Sequence, residues 1–165
     1  VAAYNDFVTQ NASSKKADVD VAARFGGAVT KKVAFSFEKA AADINASIWR
    51  IARVSPFAKI VSLKLATDNI TSLTDLDAGF YKTAEVGGTE VDKDCLLDGW
   101  DPHTGQTALA EKFVPDLADI GQEAYLLAGV TATDVQKYGA FDVALTGNTA
   151  GTSTGTIAGI LEYIE

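Results

Sequence analysis

The sequence is poor in the residues that build chemistry. It has one cysteine, Cys95, one histidine, His103, and no methionine. A single cysteine excludes an intrachain disulfide, so packing alone must hold the fold. A single histidine excludes any metal site that needs two imidazoles. No apolar run approaches the roughly 18 residues of a membrane-spanning helix. Proline is scarce, with three residues. No phosphate-binding glycine loop, Cys-x-x-Cys pair or nucleophile elbow occurs. Positive charge is also short: 14 Lys and Arg stand against 22 Asp and Glu, a net charge of −8. That balance opposes phosphate binding, and so predicts neither a nucleic-acid partner nor an anionic membrane. The first ten residues, VAAYNDFVTQ, show neither the basic nor the apolar stretch of a signal peptide. The Asn-x-Ser/Thr matches at Asn11, Asn45 and Asn69 are therefore expected to stay unmodified.

What remains is a chain of 165 residues, 47% hydrophobic and 22% charged. This length suits one domain, or one domain and an arm. Residues 1–30 are polar, with Gly26-Gly27 and scattered apolar positions, and predict an extended N-terminal arm. From residue 31 to 165 the pattern changes to alternation, the period of a strand. Val33, Phe35 and Phe37 share one face; Trp49, Ile51 and Arg53 oppose Ile48, Arg50 and Ala52. Val61, Leu63 and Leu65 align, then Leu76, Ala78 and Phe80, then Phe141, Val143 and Leu145, then Ile157, Leu161 and Tyr163. The stretch SIWRIARVSPFAKIVSLKLATD, Ser47 to Asp68, predicts two strands of one hairpin. GNTAGTSTG predicts a second hairpin loop before the last strand. A helical turn is expected at Asp92–Leu97. A short helix is expected over DLADIGQEAYLLAGVT, with Leu117, Ile120, Ala124 and Leu127 as its stripe and Gly129 as its stop. Six or seven short strands with turn signals between them imply an antiparallel β-sandwich with one short helix.

The candidate sites are few. His103, in an Asp-Pro turn, is expected to be a loop residue, and Cys95, beside Leu96 and Leu97, a buried thiol. Asp92, Asp94, Asp98 and Asp101 lack the spacing of an EF-hand loop and predict a solvated acidic loop, with an irregular calcium site as the alternative. Arg50 and Arg53 lie three apart, so a regular strand would point them to opposite faces. Asp75 and Asp77 are the expected partners of Arg50, Arg53, Lys59 and Lys64. No catalytic, cofactor-binding or metal-binding residue emerges, and the chain is expected not to be an enzyme.

Four segments in this order carry a resemblance: IWRIARVSPFAKIVSLKLATD, TDLDAGFYK, DKDCLLDG and the terminal GTIAGILEYIE. Together they resemble the head-decoration, or cement, proteins of tailed bacteriophages, over residues 33–165. The resemblance implies a jelly-roll-like sandwich with no cofactor. It implies a virion protein on the capsid exterior, assembled in the host cytoplasm, that bridges subunits of the major capsid protein as a dimer or trimer. Arg24, Phe25, Lys31, Lys32, Arg50 and Arg53 are the expected contact residues. A carbohydrate- or receptor-binding sandwich of a phage tail or fibre is the alternative, with Trp100 beside His103 as its one aromatic candidate.

Overall fold

The computed structural model describes residues 29–165. The expected arm lies almost wholly outside them. Eight strands follow in chain order: β1 (Thr30–Lys39), β2 (Ser47–Val54), β3 (Lys59–Thr67), β4 (Leu76–Lys82), β5 (Glu90–Trp100), β6 (Gln106–Phe113), β7 (Phe141–Gly147) and β8 (Gly155–Ile164). They form two four-stranded antiparallel sheets, β1-β8-β3-β6 and β2-β7-β4-β5. Each strand of the first half pairs with its mirror in the second half: β1 with β8, β2 with β7, β3 with β6, β4 with β5. This is one long hairpin rolled into a two-layer jelly roll.

The core lies between the layers. Leu63, Leu65, Ile157 and Leu161 of the first sheet meet Leu76, Phe80, Phe141, Val143 and Leu145 of the second, all fully buried. Phe80 and Phe141 pack as tilted rings with centroids 5.5 Å apart. The alternating positions of β1, β7 and β8 face inward as their period requires. Gly159 of β8 gives Phe35 its place: a Cβ there would stand 2.6 Å from the Phe35 ring and 2.5 Å from the Lys64 carbonyl.

Several expectations are corrected. The strands β2 and β3 are not a hairpin, nor are β7 and β8; each pair is split between the sheets. The Ser55-Pro56-Phe57 link crosses the sandwich, and so does the loop after Gly147. Alternation reports faces and is silent on neighbours. Asp92–Leu97 is not helical but lies inside β5, and β5 and β6 bring the count to eight. The short helix exists as α1 (Ala124–Leu127), followed by Gly129 at φ 65°. Its predicted stripe fails at the front: Ala124 is buried, but Leu117 and Ile120 are 93% and 69% exposed. Asp116 there accepts the N–H groups of Ala118 and Asp119 in a turn instead of starting a helix. Val61 leaves the core as well, because the register with β8 slips between Ile60 and Ser62.

Candidate interaction surface

The outward face of β2-β7-β4-β5 is polar yet closed. Its central strands, β4 and β7, are buried on both sides: Asp77 is 1% exposed, Tyr81 2% and Asp142 4%. Glycine makes the closure possible. The backbone of β5 arches over Gly79, where a Cβ would stand 2.1 Å from the Asp92 carbonyl. The arch brings in Lys93, whose ammonium donates to Asp77 at 2.6 Å and to the Asn148 side-chain oxygen at 2.8 Å. Asn148 also donates to Asp75 at 3.0 Å and to Asp77, and the Gly99 N–H donates to Asp77 at 2.9 Å. Burial alone would raise the Asp77 carboxyl. The bonds from Lys93, Asn148 and Gly99 outweigh it and hold the group below its ordinary value.

Arg50 and Arg53 both reach Asp142 on the same face, which corrects the reading that they point apart. The register shifts between Arg50 and Ala52, so Ile51 is an extra, bulged residue and resets the alternation. Arg53 Nε lies 2.7 Å and Arg50 Nε 3.2 Å from the Asp142 carboxylate. Arg53 also reaches Glu85 at 3.0 Å, and Arg50 donates to the Gly88 carbonyl at 2.7 Å. The guanidinium of Arg50 lies 5.6 Å from the Tyr81 ring, whose hydroxyl shares a 2.6 Å hydrogen bond with Thr146. Asp75 and Asp77 are therefore not the partners of these arginines, and Lys64 approaches Glu111 at 3.9 Å instead. The sequence does not single out Asp142, because a lone carboxylate between Phe141 and Val143 identifies its partners only once β7 is known to lie beside β2.

The β1-β8-β3-β6 side is different. An apolar groove of about 370 Å³ opens between the start of β3, the end of β8 and the segment after β6. Ile60, Val61, Val114, Pro115, Ile120 and Ile164 line it, with Lys59 among them. Val114 and Leu117 stand exposed at 58% and 93%. Of the expected contact residues, Lys31 and Lys32 stand on this sheet. Lys31 pairs with Glu165 and Lys32 with Glu162, each at 2.8 Å. Both glutamates are held below their ordinary values, chiefly by these bonds. Arg50 and Arg53 belong to the opposite sheet, and Arg24 and Phe25 lie outside the described residues.

The remaining candidates have ordinary partners. The His103 Nδ1 accepts the Ser72 backbone N–H at 3.3 Å, and the His103 backbone N–H donates to the Asp101 carboxylate at 2.8 Å. The Lys112 ammonium covers the Trp100 ring at 4.1 Å from its centroid, so one face of that ring is closed. Burial, reinforced by Asp92, pushes the Cys95 thiol far above its ordinary range. Asp92 is raised by burial and by its neighbour Asp94. Among the described residues no three His, Cys, Asp or Glu side chains gather as a metal centre.

No family model and no curated protein sequence matches this chain. Solved structures do. A chain of the capsid of Ralstonia phage GP4 aligns with a TM-score of 0.54 at 15% identity, over 84% of each chain. A chain of the cyanophage Pam1 capsid asymmetric unit aligns with a TM-score of 0.52 at 12% identity, over 83% of this chain and 85% of that one. This protein therefore shares its mainly β, jelly-roll-like sandwich with chains found in phage capsids.

Proposed function

We propose that this chain is a non-enzymatic structural protein of a phage virion, which binds the capsid exterior and bridges subunits of the major capsid protein. The observation that carries the reading is the extent of the likeness: the whole sandwich matches chains of two phage capsids over more than four-fifths of both partners. The surface supports it. Exposed apolar groups grouped around a groove are costly in water and mark protein contacts. Here exposed Val114 and Ile120 line the groove with half-buried Val61 and Ile164. Lys31 and Lys32 stand on the same sheet, where Glu165 and Glu162 engage them.

The test is co-sedimentation with capsids of the phage that encodes the chain. Saturation at a fixed number of copies per capsid supports the reading. Failure to bind those capsids, together with binding to a glycan array, replaces it with the tail- or fibre-module alternative.

A further inference from the structure

The strand β1 is an edge of its sheet, with β8 on one side and no described strand on the other. An unpaired edge exposes a row of N–H and C=O groups that another strand can take up. The other three edges are irregular. The register of β2 breaks at Ile51, that of β5 breaks repeatedly against β4, and that of β6 breaks twice against β3. By contrast, burial along β1 alternates without interruption from Lys32 to Lys39. Its sequence, TKKVAFSFEK, contains neither proline nor glycine.

The inward side of this edge is incompletely covered. Val33, Phe35 and Phe37 point to the core but remain only partly buried. Phe35 stacks on Phe37 at 6.5 Å and Phe37 on Trp49 at 5.6 Å, so an aromatic row runs along the seam between the sheets. On the outward side Lys32 and Glu38 are exposed near opposite ends of the strand; Lys32 pairs with Glu162 at 2.8 Å within the chain, but its side chain stays 64% exposed and open to a second carboxylate. Glu38 has no ion pair among the described residues.

We infer that β1 pairs with β1 of a second copy, antiparallel about a two-fold axis at Phe35 and perpendicular to the sheet. Such an axis keeps inward residues opposite inward ones, so only registers that preserve parity are allowed. Centred on Phe35, Lys32 of each copy faces Glu38 of the other, Val33 faces Phe37, Ala34 faces Ser36, and the two Phe35 rings meet. Centred one residue earlier, Lys32 faces Ser36; one residue later, it faces Ala40. Both alternatives lose the two cation–carboxylate pairs. The chosen register sets Lys31 against Lys39, but Lys31 already carries Glu165 at 2.8 Å, and the Lys39 ammonium donates to the Gly151 carbonyl at 2.8 Å. The two half-covered aromatic rows then shield each other, and the sheets join into one of eight strands. This deepens the virion reading by naming the self-contact of an oligomer. Its test uses no capsid, so either idea can fail alone.

The experiment mixes two full-length single variants, Ala34→Cys and Ser36→Cys, under mild oxidation. These positions are outward-facing, and half-buried Cys95, beside Asp92, reacts poorly in either chain. The inferred register yields a covalent dimer of one chain of each kind, while each variant alone stays largely unlinked. Light scattering of Glu38→Lys should show dimerisation weakened by on the order of tenfold or more, because both symmetric pairs become repulsive. Adding Lys32→Glu should restore it. A wild-type monomer at every soluble concentration overturns the inference. So does equal cross-linking of Ala34→Cys with itself, or failure of the double reversal to recover the dimer.

Discussion

The two sheets have four strands each and the same antiparallel pairing, yet their outward sides have been finished differently. On β2-β7-β4-β5, acids, cations, a tyrosine and an asparagine satisfy one another until the central strands are buried on both faces. On β1-β8-β3-β6, an apolar groove remains, and the edge strand β1 is the one whose burial alternates without interruption. The difference teaches that charge on a surface does not mark a binding site. Arg50 and Arg53 attract attention in the sequence, but Asp142 and Glu85 already engage them. Uncovered apolar groups carry the stronger signal for a partner.

Breaking the closed face should cost the fold most. Gly79→Ala forces the arch of β5 away from the sheet and should lower stability by about 3 kcal/mol or more, read by chemical denaturation. Asp77→Ala strands Lys93 and should cost about 3 kcal/mol by the same measurement. Asp142→Ala should cost about 2 kcal/mol, since two guanidinium groups lose their shared acceptor. Acid should sharpen the contrast. Asp77 has a folded-state value below its unfolded one, so its contribution is complete above the ordinary carboxylate range. It is lost as pH falls through the lowered value. Asp92, raised in the fold, works in the opposite direction, favouring the folded state as pH falls. Asp77→Asn should therefore flatten the acid limb of the stability curve. The open side should behave differently: Leu117→Asp and Ile120→Asp should shift stability by no more than about 0.5 kcal/mol, yet weaken capsid binding.

The sequence made the layers legible more readily than their connections. Alternation placed Phe141, Val143, Leu145, Ile157 and Leu161 in the core, because each lies on a regular strand of strict period two. It misjudges Arg53 and Val61, because the register slips at Ile51, ahead of Arg53, and at Val61 itself. It missed β5, because DKDCLLDG carries an arch that mixes inward and outward residues. The polar network was hidden for a related reason. Asp77 and Tyr81 of β4 meet Asn148 and Thr146 only through the pairing of β4 with distant β7, and Lys93 joins them only through the arch of β5. The groove was hidden because Val114 and Ile120 reach it from the irregular segment after β6, where the predicted helical spacing is not used.

The most direct measurement is quantitative co-sedimentation of the full chain with capsids of its own phage, comparing wild type, Ile120→Asp and Arg53→Ala. Wild type and Arg53→Ala should saturate at one fixed copy number, and Ile120→Asp should bind far more weakly while remaining folded. Undiminished binding by Ile120→Asp with loss in Arg53→Ala would reverse the roles of the two faces, and no binding by wild type would contradict the virion reading itself.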